Sequence, residues 1–214
     1  GNNLYLDNIN VSYTPAAGPP TANFTSAATK CAGQSIAFTD ASTNTPTSWA
    51  WSTNPSTNVT ITSATSQNPT INFTNAGTYT VNLVATNANG ASPVFAQTVT
   101  VNPTPAMTSV SSASVCPGVA LNIPLTSSTA SNYSWIANNN ANTTGESTTA
   151  QTTSTINNTI TNSTATAQTL NYTVTPTATT GGCVGAAQTV TVTVNPNPTM
   201  TSAATASACS GVAV

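Results

Sequence analysis

The sequence predicts an all-β protein built from small β-sandwich domains in a tandem, linear array. Three observations carry that prediction. Cys31-Ala-Gly33, Cys116-Pro-Gly118 and Cys209-Ser-Gly211 each follow a Ser/Thr/Ala run and precede an apolar alternating segment. VNPTPAMTS begins at Val101 and VNPNPTMTS at Val194, the same 93-residue offset that separates Cys116 from Cys209, while Cys31 precedes Cys116 by 85. A period of that length exceeds a solenoid unit and suits a whole small β domain. Finally, Val, Ile, Thr, Tyr and Trp recur in short runs of period two, as half-buried strands require.

Residues 1–13 read as one strand, with Leu4, Leu6, Ile9 and Val11 among polar neighbours. A single strand makes no stable sheet. Residues 14–20, TPAAGPP, interrupt any ladder and read as a stiff linker. The first bead, residues 21–103, holds seven expected strands: 22–26, 35–39, 48–52, 58–62, 70–73, 78–86 and 94–101. Tyr79, Val81, Leu83 and Ala85 alternate toward a core in the clearest of them, and Asn89-Gly90 after it suits a tight hairpin. About seven short strands in some eighty residues predict an immunoglobulin-like sandwich.

The second bead, residues 104–196, repeats the pattern in looser form, with strands expected at 119–125, 132–136, 155–160, 169–175 and 188–194. A Ser/Thr/Asn-rich stretch from Asn138 to Ser154 blurs its middle. Tyr172-Thr-Val174 stands where Tyr79-Thr-Val81 stood. Residues 197–214 read as the opening of a third bead, so the chain is expected to be an internal piece of something longer.

Composition narrows the function classes. Asp7, Lys30, Asp40 and Glu146 are the only charged side chains of 214 residues, and the net charge is −2. There is no basic patch to hold nucleic acid and no field to steer an anionic partner. With so few ion pairs, folding should depend little on salt. No run of 18 apolar residues exists to span a membrane, and the opening residues do not read as a signal peptide. Asn-X-Ser/Thr triplets begin at Asn10, Asn23, Asn58, Asn72, Asn132, Asn142, Asn157, Asn162 and Asn171. In a chain this rich in Asn and Thr, chance supplies most of them, and unmodified polar strand faces are expected.

Residues 22–102 resemble a PKD (polycystic kidney disease) repeat. The resemblance rests on Ala22-Asn-Phe24, Gly33, Ile36-Ala-Phe38-Thr-Asp40, Ser42, Trp49-Ala-Trp51, Asn68-Pro69, Gly77-Thr-Tyr79-Thr-Val81-Asn-Leu83 and Asn89-Gly90. After the tryptophans the chain departs from the family pattern, with Ser52-Thr-Asn-Pro55 in place of an aromatic and an Asp/Gly turn. Residues 106–194 are similar to the more divergent PKD-like repeats of bacterial surface proteins, through Cys116-Pro-Gly118, Tyr133-Ser-Trp135, Tyr172-Thr-Val174, Cys183 and Thr191-Val-Thr-Val194-Asn-Pro196. Asn3-Leu-Tyr5-Leu-Asp7-Asn-Ile9 resembles the last strand of an upstream jelly-roll domain. The resemblance implies a secreted or surface-anchored protein, extracellular or on the bacterial cell surface, whose modules serve as spacers or adhesive units.

Little in the chain could carry chemistry. General acid–base work needs a tunable group, and a nucleophilic hydroxyl needs a base beside it. With no His, one Lys and carboxylates scattered over different beads, neither an enzyme nor a cofactor or metal site is expected. Asp40 closes a strand and reads as a local acceptor for backbone N–H groups rather than a cation ligand, since hard cations want several oxygens. Trp49, Trp51 and Trp135 could stack on surface glycans if exposed. Alternation puts Trp49 and Trp51 on one face, which favours core filling.

None of the four cysteines is spaced as a zinc ligand; disulfides are the natural use in an exported protein. Cys116 with Cys183 is the simple pairing within the second bead. In an immunoglobulin-like sandwich, however, their turns lie at opposite ends, about 20 Å apart, whereas a bridge needs Cα atoms within about 7 Å. The last hairpin of a bead faces the preceding bead, so the preferred pairing is Cys31 with Cys183 across the junction. Cys116 and Cys209 would then find partners beyond this chain. Such bridges, with the Pro-containing linkers after Val101 and Val194, would stiffen the array.

The expected function is a stalk or fibre of a large extracellular protein, its partners being neighbouring repeats and, in a fibre, other copies. One alternative is an accessory spacer downstream of the catalytic domain of a secreted hydrolase such as a metalloprotease. Another is a carbohydrate-binding module.

Overall fold

The computed structural model describes residues 18–27 and 30–198. The leading strand at residues 1–13, all of the third bead beyond its first two residues, and Cys209 lie outside the described residues. The chain divides into two units between Pro103 and Thr104, each a β-sandwich around its own core.

In the first unit β1 (Phe24–Ser26), β2 (Ser35–Asp40), β4 (Val59–Thr62) and β5 (Thr70–Phe73) form one sheet in the order β1-β2-β5-β4. The other sheet centres on β6 (Gly77–Asn87), flanked by β3 (Ser48–Asn54) on one side and by β7 (Gly90–Ala91) and β8 (Phe95–Val101) on the other. Tyr79, Val81, Leu83 and Ala85 alternate inward along β6 as expected, and the last three are wholly buried. Phe24 is the hub of an aromatic cluster, with ring centroids 5.7 Å from Phe38, 5.1 Å from Trp51 and 5.3 Å from Phe95. Tilted and edge-on pairs of this kind add to the gain from simple burial.

Two local expectations change. The β6–β7 hairpin turns on Ala88 and Asn89, because Gly90 is already paired with Asn87; Gly90, at φ 126°, closes the turn instead of forming its centre. The end of the Pro-rich segment belongs to the first unit. Asn87 Nδ2 donates to the Gly18 carbonyl at 3.1 Å, Asn44 Nδ2 donates to that of Pro19 at 3.1 Å, and Pro20 is buried.

The second unit is built from β9 (Ser112–Val115), β10 (Ile123–Pro124), β11 (Ser131–Ala137), β12 (Thr143–Thr144), β13 (Thr155–Ile156), β14 (Thr161–Asn162), β15 (Gln168–Ala178) and β16 (Gln188–Val194). Its main sheet runs β11-β15-β16-β9, with β9 parallel to β16. The facing layer is broken into the short pairs β10–β13 and β12–β14. The expected strand 119–125 therefore shrinks to β10 and a single bridge at Ala120, because Asn122 sits at φ 47°, outside extended geometry. The strand expected at 155–160 shrinks to β13, where the Asn158 side chain captures the backbone of Ser147 instead of extending a ladder. The blurred stretch after Asn138 pairs back: Trp135 and Gln151 exchange both backbone hydrogen bonds, and the Ala137 N–H donates to Ser147.

Candidate functional site

The repeated Cys-X-Gly element forms the same turn in both units. Gly33 and Gly118 adopt φ 79° and 80°, a left-handed conformation that costs glycine least. The amides of Gln34 and Val119 reach back to the carbonyls of Cys31 and Cys116, at 3.3 and 3.2 Å. Each glycine N–H is anchored across its unit, Gly33 to Phe73 O and Gly118 to Ile160 O, both at 2.8 Å.

Cys183 occupies the β15–β16 hairpin, where Gly181 and Gly182 supply positive φ and the Ala178 N–H donates to the Cys183 carbonyl at 2.8 Å. Gly185 leaves the hairpin where an added Cβ would collide with the Pro105 carbonyl oxygen. Cys31 and Cys183 are both disulfide-bonded, and Cys116 is an exposed free thiol. The alternative bridge from Cys116 to Cys183 is thereby set aside, and β16 shows why. Val115, just before Cys116, pairs with Val194 at one end of that strand, whereas Cys183 precedes Gln188 at the other. Seven strand residues separate those ends by about 20 Å, far beyond the reach of a disulfide.

The tryptophans fill cores. Trp51 and Trp135 are 4% and 2% exposed, so neither offers a ring face to a sugar. Their indole N–H groups donate inward, to Ser66 O at 3.0 Å and Thr153 O at 3.1 Å. Trp49 is half-buried against the same core as Trp51, and its Nε1 is buried without an acceptor.

Asp40 is taken up by its neighbours. One oxygen accepts from the Ser42 N–H at 3.1 Å and from the Ser42 hydroxyl; the other accepts from Gln67 Nε2 at 3.3 Å. Glu146 holds a loop: its Oε1 accepts from the Asn140 N–H at 3.3 Å and the Thr143 hydroxyl at 3.2 Å. Beside it the buried Tyr172 hydroxyl donates to Asn158 Oδ1 at 3.1 Å. Burial, and secondarily the Glu146 charge, push the Tyr172 phenol well above its ordinary value. Sequence reasoning missed this Glu146–Asn158–Tyr172 cluster, since its members are scattered through a low-complexity region. Asn162, the first residue of an Asn-X-Ser/Thr triplet, is also claimed from within: it is 6% exposed and its amide donates to the carbonyls of Thr166, Val194 and Asn195.

Among the described residues no three His, Cys, Asp or Glu side chains are grouped together, and no helix is long and apolar enough to cross a membrane. No curated protein matches the chain. Among solved structures it is similar to three immunoglobulin domains of titin, I67–I69, at 14% identity and a TM-score of 0.44, covering 85% of this chain and 66% of that one. The insect immune protein hemolin is similar at 15% identity and a TM-score of 0.42, over 87% of this chain and 49% of its own. Three N-terminal domains of the outer capsid protein Hoc of bacteriophage RB49 give 10% identity and a TM-score of 0.45, over 84% and 71%. Family profiles match in tandem, a PKD domain over residues 17–103 and a PKD-like domain over residues 113–198. The chain belongs to the PKD family, as two consecutive PKD-type β-sandwich domains.

Proposed function

We propose that the chain is a non-catalytic stalk segment of a large extracellular bacterial protein, in which a Cys31–Cys183 disulfide rivets one module to the next. The observation that carries this reading is the tandem itself. Two PKD-type modules follow each other, each with its own packed core, and the carboxylates of Asp40 and Glu146 are engaged in local structure. Modules of this kind supply reach and spacing. The disulfide state of Cys31 and Cys183, alongside the free thiol of Cys116, supports the pairing. Stable disulfides also suit an oxidising compartment. On this reading Cys116, whose turn duplicates that of Cys31, serves a hairpin cysteine of the following module.

Small-angle scattering of the whole chain, compared with a Cys31→Ser/Cys183→Ser variant, tests both parts. An elongated particle whose distance distribution broadens in the variant is expected. A compact particle would overturn the stalk, and identical profiles would overturn the rivet.

A further inference from the structure

Tension on a stalk travels along covalent bonds, and the two bonded cysteines offer it a short route. Cys31 precedes β2 and Cys183 stands in the hairpin before β16, so a bond between them closes residues 32–182 into one covalent loop. This rests on the stalk and the Cys31–Cys183 pairing proposed above. With Cys116 a free thiol, Cys209 alone could not complete both Cys31 and Cys183, which supports that pairing. Of the first core, every buried member except Ala22 and Phe24 lies within the loop. Of the second, every buried member except Val190, Val192 and Val194 does so.

β16 continues the route beyond Cys183. Pairing with β15 begins at the bridge between Thr177 and Val184 and runs on from Val174–Gln188 to Gln168–Val194. β9 flanks the other edge from Thr191 to Val194. A strand already stands at about 3.3 Å per residue, close to the limit of a fully extended chain. Pulling its two ends apart therefore finds little slack. Both pulls act on the same strand, so its ladders to β15 and β9 are not sheared. Without the bond, load enters the unit at its N-terminal end and leaves past Val194. It then draws β9 and β16, which run parallel, in opposite directions and shears a ladder of four residue pairs.

We propose that Cys31 and Cys183 form a tension bypass. Load on the stalk crosses from Cys31 to Cys183 through the disulfide and continues along β16, leaving residues 32–182 unloaded. The two modules then serve as a tether of nearly fixed length whose cores stay folded under a pull. Only the segments before Cys31 and after Cys183 lie on the loaded path. Val190, Val192 and Val194, each 0% exposed, are the members of the second core carried by the loaded strand. They keep their places because β16 bears the load without leaving its sheet.

Single-molecule pulling on the full chain tests the bypass, with handles at both ends and with Cys116→Ser and Cys209→Ser to prevent thiol exchange. The Cys31→Ser/Cys183→Ser variant in the same background sets the force at which both modules unfold. Held at that force, the chain with the disulfide is expected to show neither module's step. A small dithiol is then added, which reduces the bond to two thiols and is itself oxidised to a disulfide. Two separate steps should follow, for residues 32–103 and 104–182. Each should release roughly 250 Å of chain, at about 3.3–3.6 Å per residue. A single undivided jump on reduction would overturn the bypass and spare the pairing, since both cores would have melted inside the intact loop. Both steps before any dithiol is added would overturn the pairing, and the bypass with it.

Discussion

Trp135 packs its indole against the ring of Tyr172, centroids 5.8 Å apart and planes inclined by 60°. Both side chains also spend their polar ends inside the unit, Trp135 on Thr153 and Tyr172 on Asn158. The pair joins β11 to β15 and ties both strands to the loops over them. Trp135→Ala should therefore cost about 3–5 kcal/mol through the cavity and the lost hydrogen bond. Chemical denaturation is expected to show the second unit melting earlier while the first keeps its transition.

Tyr172 also makes stability depend on alkaline pH. Its folded phenol titrates above the unfolded value, with burial as the main cause and Glu146 as the second. The contribution is whole below the unfolded value of about 10 and is lost as pH rises through and beyond it. Urea midpoints should fall between about pH 9 and pH 12, and Tyr172→Phe should flatten that limb. An unchanged slope in the variant would assign the alkaline loss to other groups.

Trp49 and Trp51 offer a paired comparison two residues apart. Trp51→Phe removes a made hydrogen bond and leaves the Ser66 carbonyl without its donor. Trp49→Phe removes a buried donor that has no acceptor. Losing an unsatisfied group is close to neutral, whereas breaking a satisfied one costs about 1–3 kcal/mol. Thermal melts are expected to rank Trp51→Phe clearly below Trp49→Phe.

Two glycines at positive φ separate strain from crowding. Gly118, at φ 80°, has nothing within 4 Å of where a Cβ would stand, so Gly118→Ala should cost only the left-handed backbone penalty of about 1–2 kcal/mol. At Gly145, φ 99°, the added Cβ would collide with the Thr159 carbonyl oxygen, which is backbone and cannot swing aside. Gly145→Ala should be several-fold more damaging in the same denaturation assay.

The sandwich was legible where side chains alternate strongly. Tyr79 to Ala85 declared β6 because period two with bulky inward residues has no helical reading. β9 was not legible: Ser-Ala-Ser-Val carries no large aromatic or aliphatic run, and its strand character comes from pairing with β16. β12 and β14, two residues each, are held by a side-chain contact between Thr144 and Thr161 at 2.6 Å, and no propensity encodes that. The Cys-X-Gly turn was visible as a repeat, since its glycine needs the same positive φ in each unit. The role of Glu146 was hidden because its partners lie in a run of Asn and Thr where every position looks alike.

Connectivity of the cysteines decides whether the modules are riveted. Digestion of the intact chain without reductant, followed by mass spectrometry, should yield one cross-linked species joining the Cys31 peptide to the Cys183 peptide, with Cys116 recovered as a thiol. A peptide pair joining Cys116 to Cys183 would refute the rivet, since it would leave the two modules unbridged.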